Sequence, residues 1–211
     1  MDNSDEASTR IVEVAKILFL DKGYHKTEMK DIAKVANLSR STLYRRFPTK
    51  ESLAFPVSLK VLEELFPPSK GVKGGNGWER LHNLMHFYAE RMVRSSNHVR
   101  YLAEFDFTFC GEEPELEAER NFMDKMHQSA VDDNPFYEYV RQGVEDGSIL
   151  PDIDMKVISL TIINALFAMG QRILVRQERI HKVHGYSSEM IYQTADILAK
   201  GLKNSNAASK K

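Results

Sequence analysis

The chain contains a single cysteine, Cys110, so no disulfide can form within it. Such cysteine usage is typical of a protein from a reducing compartment. The sequence has no phosphate-binding loop, nucleophile elbow or cysteine–histidine signature of a known enzyme class. Residues 71–77 are rich in glycine, but they follow no strand and lack the residue order of a phosphate loop. We therefore expect neither an enzyme nor a cofactor.

Strand-like and signal-like patterns are missing as well. No stretch shows the sustained alternation of a β-strand, so we predict an all-α protein. Residues 1–10 are acidic and polar, unlike a secretory signal. The most apolar run, residues 157–174, is interrupted by polar side chains and falls short of the about 20 apolar residues of a membrane span. The chain is thus expected to be cytoplasmic, with no membrane partner.

The most informative stretch is residues 27–53, which reads as two short helices joined by a tight turn and followed by a third helix. Thr27 is predicted to cap the first helix, and Ser39 the second, which covers residues 40–46. Between them, Asn37 tolerates the left-handed conformation that a helix end often needs. Thr49 is predicted to cap the third helix, beginning at Lys50. This is the layout of a DNA-reading helix-turn-helix.

The charge distribution agrees with that interpretation. Residues 22–50 contain eight basic and two acidic side chains, a formal charge of +6, whereas the rest of the chain carries −7. A polyanion would be attracted to one part of the chain and repelled by the other. A charged run alone is also compatible with a solvated face, but here it coincides with the helix-turn-helix pattern.

These residues closely resemble the N-terminal domain of TetR-type transcriptional regulators over roughly residues 8–55. The resemblance implies a homodimeric bacterial repressor of a palindromic operator, released from DNA by a small ligand. An activator, or a nucleoid or division factor of the same fold without an effector, is the alternative. The matching residues are Thr27, Ile32, Ala33, Ala36, Leu38, Ser39, Thr42, Leu43, Tyr44, Phe47, Lys50, Glu51 and Leu53.

Roles on DNA follow partly from side-chain chemistry. Arginine grips guanine through two hydrogen bonds in the major groove, so Arg40 and Arg45 are the candidate base readers. The resemblance implies that Thr42, Tyr44 and Lys50 contact the DNA backbone and that Lys30 reaches a base. The complete predicted DNA-binding set is Thr27, Lys30, Ser39, Arg40, Ser41, Thr42, Tyr44, Arg45 and Lys50.

About nine helices are expected, in two domains. Residues 1–54 form the predicted DNA-binding domain, and residues 55–211 a helical bundle for effector binding and dimerisation. One helix is predicted between the Thr27 cap and the turn at 36–38. The others are predicted at 8–22, 40–46, 50–66, 78–95, 98–109, 114–146 with a break near 132–135 left open, 155–179 and 188–203. Pro56 lies inside the fourth helix, where it is either a hinge or simply tolerated.

The apolar helix at 155–179 needs cover on two sides, because a helix packed on one side shows a single apolar stripe. We therefore predict that it forms a four-helix dimer interface together with the last helix. A large monomeric bundle with a central buried helix is the alternative. The predicted interface residues are Ile158, Ile162, Ala165, Met169, Ile173, Ile191, Ala195 and Leu198.

Aromatic residues and methionines are concentrated in the middle of the chain, and both suit a pocket for a hydrophobic or aromatic effector. They are equally compatible with a plain core, and the pocket rests on the family resemblance. The candidate pocket residues are Met85, Tyr88, Met92, Tyr101, Phe105, Phe109, Phe122, Met126 and Phe167.

Two histidine pairs have close spacing in the sequence. His82 and His86 are four residues apart on one predicted helix, a spacing that can chelate zinc. No third ligand is evident in the sequence, so no metal site is predicted, and His86 remains a candidate to hydrogen-bond an effector. His181 and His184 flank a predicted turn.

Overall fold

The computed structural model describes residues 3–67, 71–111, 116–131 and 134–205. The described residues form eleven helices and no strand, apart from one isolated antiparallel bridge between Ile149 and Lys203. The all-α prediction is therefore confirmed. The helices are α1 (Asn3–Lys22), α2 (Met29–Val35), α3 (Arg40–Arg46), α4 (Lys50–Leu65), α5 (Gly77–Arg94), α6 (Ser96–Thr108), α7 (Glu117–Val131), α8 (Pro135–Glu145), α9 (Met155–Val175), α10 (Gln177–His184) and α11 (Glu189–Leu202).

There are two more helices than predicted because two predicted helices each divide. The predicted helix at 114–146 becomes α7 and α8, and the Asn134 side chain begins α8 by accepting the Phe136 N–H at 3.0 Å. Part of that predicted helix, at 114–115 and 132–133, lies outside the described residues. The predicted helix at 155–179 ends at Val175, because Arg176 leaves the helical conformation with φ −118° and ψ 18°.

The chain divides into two compact units. The first contains the residues through Leu65 together with Asn97–His127, and the second contains Phe66–Ser96 and Gln128–Lys211. The first unit thus combines the helix-turn-helix segment with most of α6 and α7. A functional domain boundary after residue 54 remains a proposal.

The core of the first unit is built on α1, whose buried stripe includes Ile11, Ala15 and Phe19. The Phe19 ring stacks on Tyr101 of α6, with ring centroids 5.8 Å apart. The buried Tyr101 hydroxyl lies 3.1 Å from Ser58 Oγ and 3.2 Å from the Ala54 carbonyl, so its polar end is satisfied by α4. These contacts join α1, α4 and α6 into one core.

The second unit depends on an unusually close approach of α5 to α8. A Cβ added to Gly77 would lie 2.1 Å from the Gly143 nitrogen, so only a glycine fits at that position. Asp146 fixes the same corner by accepting the Gly77 N–H at 2.6 Å. On α11, the Ala199 carbonyl accepts the indole N–H of Trp78 at 2.7 Å. This corner ties the start of α5 to both α8 and α11.

Helix α9 is the one helix among the described residues that is long and apolar enough to cross a membrane by length and composition. Length and composition therefore do not exclude a span, contrary to the expectation from the sequence. Only 33% of its most apolar window is buried. The exposed positions recur at helical spacing and form one face, made of Val157, Leu160, Thr161, Asn164, Ala168, Arg172 and Val175.

The predicted dimer residues do not all lie on that face. Ile162 and Ile173 on α9, and Ile191 and Ala195 on α11, are buried in the core of the second unit. A side chain already covered by its own unit has little surface left to bury, so the assignment of these four residues to an interface stays a prediction that their burial does not favour. Ile158, Ala165, Met169 and Leu198 are half-buried.

Candidate nucleic-acid interface

The helix-turn-helix is held together by the apolar side chains of its first helix. Ile32 and Ala33 of α2 are buried, as is Ala36 directly after it. The turn closes when the Leu38 N–H donates to the Ala33 carbonyl at 2.9 Å. Asn37 adopts φ +53°, the left-handed conformation expected from the sequence. This backbone angle sets the direction in which α3 leaves the turn.

The predicted bounds and cap of α3 are confirmed. The Ser39 hydroxyl accepts the Thr42 N–H at 3.1 Å, and the helix runs from Arg40 to Arg46. The Ser39 oxygen also lies 2.9 Å from both the Ser41 and the Thr42 hydroxyl oxygens, which gives the start of α3 a cluster of three hydroxyl groups.

One side of α3 faces inward and the other faces solvent. Leu43 is fully buried and anchors the helix. Tyr44 is 45% exposed, although it is a large aromatic residue. Arg40, Ser41 and Arg45 are exposed with it, while Thr42 is half-buried. The exposed groups are hydrogen-bond donors or acceptors on the solvent-facing side of α3, as reading of base edges and phosphates requires.

Thr27 does not have the predicted role. It is 1% exposed, and its hydroxyl donates to the Gly23 carbonyl at 2.9 Å and lies 3.3 Å from the Leu18 carbonyl. The residue preceding α2 is Glu28, which makes no side-chain cap bond. The prediction of Thr27 as a helix cap was therefore wrong, because its hydroxyl is used inside the fold at the end of α1. Its predicted contact with DNA stays a prediction that this burial does not favour.

Lys50 is engaged at the first residue of α4. Its ammonium donates to the Tyr24 carbonyl at 3.0 Å and to the Thr27 carbonyl at 3.2 Å, and lies 4.2 Å from the centre of the Tyr24 ring. The Thr49 hydroxyl accepts the Ser52 N–H at 3.1 Å, which confirms the predicted cap. Lys50 thus fixes the start of α4 to the segment between α1 and α2.

The basic side chains around α2 and α3 are not equivalent. The exposed Lys30 ammonium donates to the Glu28 carboxylate at 2.5 Å, and this hydrogen bond raises the pKa of Lys30. Arg46 reaches back to α1, donating to the Ser8 hydroxyl at 3.1 Å. Lys26, Lys34, Arg40 and Arg45 are exposed. The exposed cations are therefore distributed along both helices of the motif.

The candidate effector residues separate into two groups, one in each unit. Met85, Tyr88 and Met92 of the second unit are buried, and Phe66 contacts both Tyr88 and Phe167 at centroid distances of 5.3 and 5.5 Å. In the first unit Phe105 meets Phe109 at 4.9 Å and Phe122 at 5.4 Å. Tyr101 is buried, whereas Met126 is 38% exposed.

Phe55 was not among the candidate pocket residues, but it is the centre of the aromatic group in the first unit. Its ring lies 5.3 Å from Phe105, 4.9 Å from Phe109 and 5.9 Å from Phe122. It sits on α4 directly before Pro56. Sequence reasoning assigned Phe55 to no role, although its position beside the helix-interior proline was visible. The aromatic cluster of the first unit is therefore attached to the helix that carries Lys50 at its start.

These features define a helix-turn-helix, in which a short helix with exposed basic side chains is anchored by the buried Leu43. Residues 11–56 match the model of the bacterial regulatory proteins of the tetR family. The N-terminal helix-turn-helix segment thus resembles that of the TetR family of transcriptional regulators.

Known proteins resemble most of the chain at low sequence identity. The HTH-type transcriptional repressor KstR2 of Mycobacterium tuberculosis is 24% identical over 150 residues, 70% of this chain and 72% of KstR2. The structure of KstR2, described as a ketosteroid transcriptional regulator, has a TM-score of 0.59 and 20% identity, covering 96% of this chain and 97% of its own. Thermus thermophilus FadR in complex with lauroyl-CoA has a TM-score of 0.61 and 19% identity, covering 92% and 93%. At these identities the structural likeness shows the fold.

Proposed function

We propose that the protein is a cytoplasmic, homodimeric repressor that binds a pseudo-palindromic operator and is released by a small hydrophobic or aromatic effector. The observation that carries the proposal is the exposed face of α3, where Arg40, Ser41, Tyr44 and Arg45 extend from a helix anchored by Leu43. The names of the relatives support repression, because KstR2 is a transcriptional repressor.

The exposed face of α9 supports the dimer. Val157 and Leu160 are 57% and 41% exposed on that face, and Ile197 of α11 is 63% exposed. Apolar faces of this kind are typically covered by another protein surface or a membrane. In a two-fold symmetric dimer the pair of α3 helices reads two half-sites about one helical turn apart, so their base contacts add.

The aromatic cluster around Phe55 supports an effector site in the first unit. Most described side chains of α7 are exposed, and Phe122 is the aromatic residue with which that helix reaches the cluster. A flat or aliphatic ligand that inserts beside Phe122 therefore displaces few packed side chains. FadR was solved with the acyl thioester lauroyl-CoA, which is consistent with an apolar effector for this fold.

Coupling between effector and DNA follows from the position of Phe55 on α4. A ligand that displaces the Phe55 ring acts on the helix next to Pro56, where the missing backbone donor makes bending easier. At the start of the same helix, Lys50 carries the shift to the Tyr24 and Thr27 carbonyls. The separation of the two reading helices then changes, and the affinities for ligand and DNA depend on each other by about 1–3 kcal/mol.

The test is fluorescence anisotropy of the protein on labelled DNA from immediately upstream of its own gene, at two salt concentrations. Scrambled DNA of the same length measures non-specific binding, which is strongly salt-dependent. Tyr44→Ala removes an exposed ring from α3, and Tyr186→Ala is the matched control, because Tyr186 is also exposed but lies outside the motif. Both variants are checked for helicity by circular dichroism.

Selective binding that Tyr44→Ala weakens and Tyr186→Ala leaves intact would support the regulator. Equal binding to both DNAs at every salt concentration, unaffected by Tyr44→Ala, would contradict it. Once an operator is found, acyl-CoA thioesters and aromatic acids are tested for release of the labelled DNA. A compound that binds the protein but leaves operator affinity unchanged would exclude coupling for that compound class.

A further inference from the structure

Two histidines of α5 and one aspartate of α11 converge in the second unit. The Nε2 atoms of His82 and His86 lie 2.8 and 2.7 Å from the same Asp196 oxygen, Oδ1. One potential ligand atom from each residue falls within 4.8 Å of the other two. The three side chains are partly exposed, at 29%, 35% and 45%, so an ion from solvent can reach them.

The backbone fixes this arrangement at both ends. His82 and His86 are one turn apart on α5, so their rings project from the same side of the helix. The Trp78 indole, one turn earlier, stacks on the His82 ring at 5.4 Å with an interplanar angle of 2° and donates to the Ala199 carbonyl of α11. On the other side, Tyr192 of α11 stacks on His86 at 5.8 Å. Both rings are therefore held in place before any ion arrives.

Two neutral imidazoles and a carboxylate are a donor set that suits zinc, nickel and cobalt better than magnesium or calcium. The Asp196 carboxylate already holds one oxygen within hydrogen-bond distance of both rings, so its position does not depend on an ion. In a tetrahedral zinc site neighbouring ligand atoms are about 3.3 Å apart, given metal–ligand bonds of about 2.0–2.1 Å. The distance from each Nε2 atom to Asp196 Oδ1 therefore needs to lengthen by only roughly 0.5 Å.

We propose that His82, His86 and Asp196 bind one divalent transition-metal ion of the zinc type. The ion binds both Nε2 atoms, with the proton of each neutral imidazole moved to Nδ1, and leaves at least one coordination position open to water or an external ligand. It also cross-links α5 to α11 in a way that the hydrogen bonds alone do not. The site is independent of the proposed regulatory function.

Trp78 is the single tryptophan of the chain, so its fluorescence reports directly on the stacked His82 ring. Co²⁺ and Ni²⁺ quench a nearby indole, whereas Zn²⁺ has no unpaired electrons and does not. Quenching by Co²⁺ that is reversed by Zn²⁺ therefore separates occupation of this site from non-specific effects. Mg²⁺ is the control ion that this donor set should not retain.

The experiment titrates the metal-free full-length protein with Co²⁺, then displaces it with Zn²⁺, and measures Zn²⁺ affinity by competition with a chromophoric chelator. His86→Gln and Asp196→Asn remove one ligand each while keeping side-chain size and hydrogen-bonding capacity. The matched control is the double variant His181→Gln/His184→Gln, which removes two exposed histidines of α10. Circular dichroism verifies that each variant is folded.

We expect one Co²⁺ per chain to quench Trp78, full reversal by Zn²⁺ and no effect of Mg²⁺. Replacing a ligand should weaken Zn²⁺ binding at least about tenfold, since even neighbouring residues that only orient ligands contribute that much. The α10 control should bind as the unsubstituted protein does. No saturable Zn²⁺ binding, or equal affinity in folded His86→Gln and Asp196→Asn variants, would overturn the proposal and leave the cluster as a hydrogen-bonded link between α5 and α11.

Discussion

The Glu104 carboxylate on α6 accepts the backbone N–H of Tyr24 at 3.0 Å, across 80 positions of sequence. It also accepts the N–H of His25 at 3.0 Å, so one side chain satisfies two successive donors after α1. Gly23, directly before them, has φ +89°, which turns the chain away from the helix. The segment between α1 and α2, which leads into the helix-turn-helix, is therefore held by Glu104 of α6 as well as by Lys50 of α4.

Glu104→Ala should lower the free energy of unfolding by about 1–3 kcal/mol, because two backbone donors lose their acceptor. Glu178→Ala, at an exposed position on α10, should change it little. Urea unfolding followed by circular dichroism measures both. Equal stability of the two variants would mean that water replaces the carboxylate at no cost.

Gly77→Ala should destabilise the protein by about 1–3 kcal/mol, because the new Cβ would overlap the backbone of α8 and force the helices apart. Gly201→Ala is the matched substitution. It lies in α11 with no atom within 4 Å of the added Cβ, and the better helix propensity of alanine should add up to about 1 kcal/mol. Thermal unfolding of the two variants measures whether their stabilities change in opposite directions. Stabilisation by both substitutions would contradict the close approach of α5 to α8 at Gly77.

Arg45→Ala should reduce affinity for the operator by about tenfold or more, while binding to scrambled DNA changes much less. An arginine that reads a base contributes about 1–3 kcal/mol of discrimination. Arg100→Ala, at an exposed position on α6, serves as the control for the lost charge. Anisotropy on both DNAs gives the ratio of affinities. A parallel loss on both would show that Arg45 contacts phosphate instead.

Leu160→Glu should convert the proposed dimer into monomers, because it places a charge on the exposed α9 face. Val183→Glu is the control, since Val183 is 73% exposed on α10, away from that face. Light scattering coupled to size-exclusion chromatography gives the mass of each variant. A dimer that persists in Leu160→Glu would place the interface elsewhere.

Stability should fall in acid partly through Glu13. Hydrogen bonds from Lys16 and Lys60 hold the pKa of Glu13 below its ordinary value of 4.5. A lowered folded-state pKa contributes stability that is present above 4.5 and is lost as pH falls through the lowered pKa. Glu13→Gln should therefore be less stable than the unsubstituted protein at pH 7, and the difference should shrink at about pH 3.5.

Urea unfolding at both pH values measures this difference. Glu63→Gln is the control, since Glu63 is an exposed carboxylate on the same helix as Lys60. A Glu13→Gln deficit that stays constant with pH would show that the carboxylate contributes by packing and not by charge.

The sequence predicted those features that depend on neighbouring residues. The Ser39 and Thr49 caps, the left-handed Asn37 and the end of α1 at Gly23 are local, since each is determined by a few adjacent backbone groups. The prediction that Thr27 caps α2 also relied on local spacing, and it was wrong. Its spacing suited a cap, but the Gly23 and Leu18 carbonyls at the end of α1 compete for its hydroxyl.

Features that join distant segments were not predictable. Nothing in the spacing of His82 and His86 indicates that Asp196 lies opposite them, 110 or more positions later. Glu104 gives no local sign that it accepts hydrogen bonds from Tyr24 and His25. The apolar α9 was foreseen, but periodicity could not say which of its faces the second unit covers, because nearly every position of the run is apolar.

The left-handed Asn37 makes the angle between α2 and α3 depend on a single backbone position. Few residue types hold such a conformation cheaply: glycine does so most readily, followed by asparagine and aspartate. Substitution at this one site is therefore restricted by backbone geometry, although the Asn37 side chain is exposed and touches no core. The neighbouring exposed positions of α3 are free of that restriction. They can change, and with them the DNA sequence that is recognised, while the angle at which the reading helix is presented stays the same.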